Sequence, residues 1–551
     1  MNCSIRQFTR KNVPTSFRRK LTSFRRKPES KLDTGESRCD EVIGSKIFLS
    51  GNRLKHHQIR FKWICLSLLL SILPNIKADP FELPDISGSA ESIFTPIEEQ
   101  RLGRAFMYNL RQQLPIIDDL LLSDYINALG QRLVNKAVTG QREFYFFLVN
   151  KKEVNAFAGP AGNIGVYSGL ILASESESEL AAVMAHEIAH VTQNHLHRAF
   201  EDATNMAIPT AALLLAAIIL GAKAGGNAGM AAAAGVQAAS LQRQIDFTRE
   251  HEKEADAVGI QILTAADFDP YAMPAFFGRI AKASRLYAND APEFLRTHPV
   301  TTNRIADAMG RAESYPYRQR PDDLAYFLVR AALREQGFNN PKQAVEHFKA
   351  SLASKRYRQE TAERYGYALS LLRHGKIAQA RQEAKYLLKQ SPTNISFILL
   401  DARVDAENGQ ITNALNSIVA ALKLFPSNAP LASFYAHLCL RQNQAVRAVK
   451  YLDQALAHNS KEQSLYELRA QVASAVGQKA DAHLFLAEAN FLNGELEAAI
   501  QRLGAALRTE NFDEYAELKL RSRLAELEQE FKADKMAKEF KKNSRNQFNN
   551  N

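Results

Sequence analysis

The feature that most restricts how this 551-residue chain can fold is a 34-residue period in its C-terminal half. Gly375, Gly409, Asn443 and Gly477 are spaced by that interval, and five residues after each stands an alanine: Ala380, Ala414, Ala448 and Ala482. Pro392 and Pro426 keep the same spacing, and flanking segments such as 379–389 and 414–424 are amphipathic helix formers. A unit of this length cannot bury its apolar face alone. Successive units stack as helix pairs around a continuous core and leave a concave surface suited to a partner or a client segment.

The period is that of tetratricopeptide repeats, and it predicts an α-helical solenoid over residues 320–530 with no sign of chemistry in it. A chain of this length exceeds a single core, so a second domain is expected over residues 79–315. The tail, 531–551, reads as disordered. Of the 70 Lys and Arg, 17 lie in residues 1–78, against 5 of the 59 Asp and Glu, so the remainder carries 53 basic and 54 acidic residues. The apparent basicity belongs to the N-terminal segment. Nucleic acid is thereby excluded as a partner, since the folded part has no excess positive charge for phosphates.

That segment has its own logic. Arg53, Lys55, Arg60 and Lys62 precede an apolar run over residues 63–74, followed by Ile76-Lys77-Ala78. The order is that of a Sec signal peptide, 53–78, with cleavage expected after Ala78 and a periplasmic destination. Residues 1–52 contain a short duplication, the run 15–20 recurring at 22–27, and read as an unstructured extension. Cys3, Cys39 and Cys65 fall in these regions, which leaves Cys439 alone and permits no intrachain disulfide in the mature chain.

Chemistry enters at residues 179–197, a run without Gly or Pro that reads as a helix and contains His186-Glu187-Ile188-Ala189-His190. Histidines four apart bring two imidazoles to one tetrahedral zinc, and Glu187 beside the open position can serve as the base. A metzincin would continue with a glycine and a third histidine where this chain has Gln193 and Leu196, so the third ligand must come from elsewhere. Glu252 and Asp256 share a helical face downstream: Glu252 suits the metal, and Asp256 suits the free N–H of a ligating histidine. Glu250, His251 and Glu254 are weaker candidates, and His195, His197 and His251 read as solvated helix-face residues.

The two motifs in this order resemble the gluzincin peptidases that include HtpX and the CAAX prenyl proteases. Asn155-Ala156-Phe157, Pro160, Gly162 and the run 166–170 resemble the strand and turn before that family's metal helix. The resemblance implies a mainly α peptidase domain with a small β-sheet edge, one Zn²⁺ per chain, and an edge strand that binds substrate by backbone pairing. His298-Pro299 and Arg304 resemble the family's late His-Pro element. Either both side chains stabilise the oxyanion, or His298 caps the zinc in a latent state.

An export signal, a zinc peptidase and a repeat array together resemble the bacterial periplasmic protease-chaperones that attend outer-membrane β-barrel assembly. That resemblance implies unfolded or misassembled outer-membrane proteins as clients and the assembly machinery as a partner of the repeat groove. One departure is that, with Cys439 alone in the mature chain, any disulfide tying the C-terminal domain elsewhere in the group is absent here. Two other readings suit the same residues. One is a non-enzymatic chaperone or assembly scaffold with a latent zinc site, and the other a membrane-anchored zinc protease. The second would use the apolar stretch 207–221, which is short for a membrane span. Residues 207–239 otherwise read as a buried helix near the active site, or as an element that gates substrate or touches the membrane peripherally.

Overall fold

The computed structural model describes residues 95–137, 142–200, 249–286, 293–318 and 320–548. The segments read from sequence as an extension and an export signal, and the apolar stretch 207–239, lie outside them. No helix of the described residues is long and apolar enough to cross a membrane. The architecture is mainly helical, with a small sheet in the N-terminal part and a helical solenoid after it.

Local chemistry starts the first helices. Thr95 opens α1 (Pro96–Arg111) with a reciprocal cap, its hydroxyl accepting the Glu98 N–H at 3.2 Å while the Glu98 carboxylate accepts the Thr95 N–H at 3.0 Å. The Asp119 carboxylate caps α2 (Leu120–Val134). Three strands follow, β1 (Tyr145–Val149), β2 (Ala156–Ala158) and β3 (Asn163–Tyr167), in the order β1-β3-β2. β1 runs parallel to β3 with Leu148 opposite Val166, and β2 runs antiparallel to it with Phe157 opposite Gly165.

After α3 (Ser168–Ala173) comes α4 (Glu177–Thr192), capped by Ser176. Every residue of α4 from Glu177 to His190 is buried, because the helix passes between the sheet, α2 and two later helices. It is therefore a core helix carrying polar side chains inward. Around it lie α5 (His195–Phe200), α6 (Arg249–Ala265), α7 (Ala272–Leu286), α8 (Glu293–Thr297) and α9 (Thr302–Glu313).

The solenoid comprises six helix pairs among the described residues. They are α10 (Leu324–Gln336) with α11 (Pro341–Ser354), α12 (Glu360–Arg373) with α13 (Ile377–Gln390), and α14 (Ile395–Glu407) with α15 (Ile411–Leu424). The series continues with α16 (Ala429–Arg441) and α17 (Val446–His458), α18 (Gln463–Ala475) and α19 (Lys479–Leu492), then α20 (Leu496–Thr509) and α21 (Glu514–Phe548). The 34-residue period marks the turn inside a pair: Gly375, Gly409 and Gly477 take φ of 74°, 76° and 78°, and Asn443 takes 54°. This left-handed conformation ends one helix and lets the next fold back. Ala380, Ala414 and Ala448 are fully buried where the paired helices meet.

One apolar core runs from the sheet and α4 through α10 as far as Val404 of α14, and a second spans α14 to α18 with Leu120 and Leu121 of α2 packed against it. Helix α2 thus packs directly against the repeats. Arg330 of α10 donates to the carbonyls of Leu172 at 3.0 Å and Ser174 at 2.6 Å, while far along the array Arg104 lies 4.5 Å over the Phe491 ring and pairs with Glu530. Residues 531–551 read from sequence as disordered, yet α21 continues to Phe548. The run 532–548 contains no Gly or Pro and is rich in Lys, so nothing in it stops a helix already begun.

Candidate metal centre

Four helices bring the candidate residues together. α4 supplies His186, Glu187 and His190, α6 supplies Glu252 and Asp256, His298 follows α8, and Arg304 lies in the first turn of α9. The approach of α6 to α4 depends on Gly259, where a Cβ would stand 3.2 Å from the His186 backbone N and Cα. All seven residues are buried to 3% exposure or less.

His186 Nε2 lies 3.0 Å from His190 Nε2, 3.4 Å from His298 Nδ1 and 3.6 Å from Glu252 Oε2. His298 Nδ1 is in turn 2.9 Å from Glu252 Oε1, and one donor atom from each of these four residues falls within 4.8 Å of all the others. Protons cannot bridge so many converging atoms. Tetrahedral ligands about 2.0–2.1 Å from a shared zinc would stand about 3.3 Å apart, close to the observed spacings. The donor set therefore fits a cation at its centre.

The surrounding charges agree. Burial alone would depress the His186 imidazole, but its bonds to Asp256 and Glu252 outweigh that and raise it to about 9, so the two carboxylates favour positive charge at this point. Burial, then the neighbouring His186, holds His190 well below the usual histidine range, which leaves it neutral and able to offer a lone pair. Against the upward push of burial, His298 and His186 hold Glu252 well below the carboxylate range. Glu187 behaves oppositely, since burial lifts its carboxyl despite His298 and His186. Its Oε1 is buried without a hydrogen-bond partner, 3.5 Å from His298 Nε2, and the Ala158 N–H of β2 bonds to the same carboxylate.

Arg304 is fully engaged. Its Nε and Nη2 donate to the two Asp256 oxygens at 2.8 Å each, and its Nη1 lies 2.6 Å from Glu252 Oε2 and 2.9 Å from the Pro299 carbonyl. Asp256 also takes His186 Nδ1 at 2.9 Å. Arg304 thus orients both carboxylates.

Of the three histidines read as solvated, His195 is completely buried. Its Nδ1 lies 2.8 Å from His190 Nδ1, and its Nε2 lies 3.1 Å from Glu254 Oε2, which also accepts Arg198 Nη2 at 2.9 Å. The physical reason is Asn194, at φ 57°, which ends α4 in a left-handed turn and swings the next residue back against His190. A continuous helix would have placed His195 on another face. His251 stacks on the His195 ring at 4.6 Å, His197 stands 3.5 Å from Glu99, and Glu250 is exposed. An i, i+5 histidine after the first pair, with Asn between, was the signal available.

Fold and donor cluster together define a metalloendopeptidase joined to a tetratricopeptide array. The profile of Peptidase family M48 matches residues 121–312, and a tetratricopeptide repeat profile matches residues 405–472. The beta-barrel assembly-enhancing protease of Escherichia coli is 36% identical over 424 residues, covering 77% of this chain and 86% of that one. Its putative counterpart in Vibrio cholerae is 35% identical over 441 residues, 80% of this chain and 90% of the relative. The mitochondrial metalloendopeptidase OMA1 of Arabidopsis thaliana is 30% identical over 152 residues, 28% of each chain. The chain belongs to the family of beta-barrel assembly-enhancing proteases.

Proposed function

We propose that this protein is a periplasmic zinc endopeptidase with a chaperone-like role in outer-membrane β-barrel assembly, one that degrades misassembled clients. The observation that carries the catalytic part is the convergence of His186, His190, Glu252 and His298 donor atoms within 4.8 Å in a fully buried cluster. One zinc per chain is held by His186, His190 and Glu252, with His298 as a displaceable fourth ligand. Bound zinc supplies Lewis acidity to a water and to a peptide carbonyl.

The chain's own residues do the rest. Glu187, whose proton affinity burial raises, takes the proton of the attacking water and passes it to the leaving amine. Asp256 and Arg304 orient His186 and Glu252. The client lies along the outer edge of β2, whose inner edge pairs with β3 and whose Ala158 N–H reaches Glu187. His298 fills the fourth donor position and stands 3.5 Å from the base, so the arrangement described is a resting one that opens when His298 withdraws. That closed state also supports a second reading, a chaperone scaffold whose zinc site stays latent.

The peptidase domain is assigned to 79–315, after export directed by 53–78, and the array to 320–530. The array presents clients or docks on assembly machinery through surfaces that α2 leaves free. The test is zinc content together with cleavage of an unfolded β-barrel protein by the chain from Asp79. Stoichiometric zinc, cleavage lost in Glu187→Gln and raised in His298→Ala is the expected result. Absence of bound zinc, or cleavage unchanged in Glu187→Gln, would leave the scaffold reading.

A further inference from the structure

We infer that His195, Glu254 and Arg198 form a hydrogen-bonded chain that fixes the tautomer and orientation of His190, making His195 a positioning residue of the metal centre. The inference rests on the metal-site reading above and deepens it. It starts from the two ends of the His190 ring. Nε2 points into the donor cluster, 3.0 Å from His186 Nε2 and 3.5 Å from Glu252 Oε1. Nδ1 points the other way, 2.8 Å from His195 Nδ1.

Two ring nitrogens at that distance are joined by one proton, carried by one of them. A nitrogen that ligates a metal offers its lone pair, so the neutral His190 ring must carry its proton on Nδ1 and donate it. His195 Nδ1 is then the acceptor, and the proton of the neutral His195 ring must sit on Nε2. That atom lies 3.1 Å from Glu254 Oε2, which also accepts a bond from Arg198 at 2.9 Å. Each step determines the next: carboxylate, imidazole, imidazole, metal.

The two ligating histidines of α4 are thus held differently. His186 Nδ1 meets the Asp256 carboxylate directly at 2.9 Å, whereas His190 reaches a carboxylate only through His195. A neutral imidazole is a weaker acceptor than a carboxylate, and the Glu254 bond to its far side restores part of that basicity. The chain joins α4 to α5 and α6, so the angle at which His190 meets the metal depends on residues from three helices. His251 covers the outer face of His195 at 4.6 Å, with the ring planes 19° apart.

Zinc affinity of the full chain, by competition with a chromophoric chelator, and the visible spectrum of the Co²⁺-loaded protein would test this. His195→Ala should bind zinc about 10–100-fold more weakly and alter the cobalt spectrum, the range typical for loss of such a partner. Glu254→Ala should shift affinity in the same direction by less. His195→Gln, which keeps one acceptor and one donor, should recover most of the loss. Should His195→Ala fail to fold, Glu254→Ala and His195→Gln decide the matter, because Glu254 lies away from the donor cluster. Affinity within twofold of wild type with an unchanged cobalt spectrum in Glu254→Ala and His195→Ala would overturn the chain. So would a Gln variant as weak as the Ala variant. Wild-type protein that takes up no zinc would instead refute the metal-site reading beneath it.

Discussion

The metal centre and the repeat array handle buried charge in opposite ways. In the centre, seven ionisable residues on or beside four helices are buried to 3% exposure or less, and several face groups of their own kind, such as the three histidines. In the array, the buried charges Asp401, Asp405 and Arg469 each pair with one partner on a neighbouring helix: Lys385 at 3.0 Å, Arg381 at 2.6 Å and Asp453 at 2.6 Å. Glu335 and Glu363 pair likewise with Arg373 and Arg334, Arg330 turns to backbone carbonyls, and the cores between the helices are apolar, with Ala380, Ala414 and Ala448 letting helices close upon each other. Among the described residues, each buried carboxylate of the array meets a cation. The centre leaves its donor atoms converging on one another, and burying charges without full compensation opposes folding. Function is concentrated where the structure is electrostatically unfinished.

The largest expected effect tests that division directly. Glu187→Gln should lower the rate of peptide cleavage by about 10²–10⁴-fold, the usual contribution of a general base, while zinc content and the urea unfolding midpoint stay near wild type. A large midpoint shift would mean that the catalytic carboxyl also holds the fold, which would break the contrast.

The converse change lies in the array. Phe348 is fully buried, with its ring seated over Gly366 of α12, where an added Cβ would fall 2.4 Å from the ring. Phe348→Ala should cost about 3–5 kcal/mol of stability by urea denaturation, through lost burial and the cavity left behind. Zinc bound per folded molecule should not change. Because one core runs from α4 to Val404, a parallel fall in zinc affinity would show that the two regions are energetically one.

A smaller effect concerns pH at the border of the centre. Burial first, then His195 and Arg198, holds His251 down to about 4, from about 6.5 in the unfolded chain. The unfolded state therefore binds the proton more readily, and the stability this group contributes is present above pH 6.5 and lost as pH falls toward 4. The melting temperature of metal-free wild type should fall more steeply across that window than that of His251→Gln. Equal slopes would show that His251 has no part in the acid response.

How much of this was legible in the sequence follows the same division. The solenoid was, because its information is local and repeated: a residue able to turn left-handed every 34 positions and a small residue five later. His186, Glu187 and His190 were legible through helical spacing and Glu252 and Asp256 through their shared helical face, whereas His298 and Arg304 came from a resemblance, since spacing alone does not say which distant segment packs on α4. His195 was misread because one left-handed residue, Asn194, breaks the helical arithmetic that made its neighbours readable. The packing of α2 against the repeats depends on how Leu120 and Leu121 meet a core built from the later repeats, which no local spacing reveals.

The finest test uses the repeats as replicates of one another. At the turn between paired helices three positions are glycine with φ of 74–78°, and the fourth is Asn443 at 54°. Around Gly375, Gly409 and Gly477 no atom lies within 4 Å of where a Cβ would be, so any effect of adding one there is backbone strain rather than a clash. A non-glycine residue in the left-handed region costs roughly 1–2 kcal/mol, and asparagine less than most. Gly409→Ala should therefore destabilise by about 1 kcal/mol, and Asn443→Gly should be neutral or stabilising by about 0.5 kcal/mol, both read from urea midpoints. If Gly409→Ala were instead neutral, the turn would not be what sets the period, and the buried alanines five residues on would carry that role by themselves.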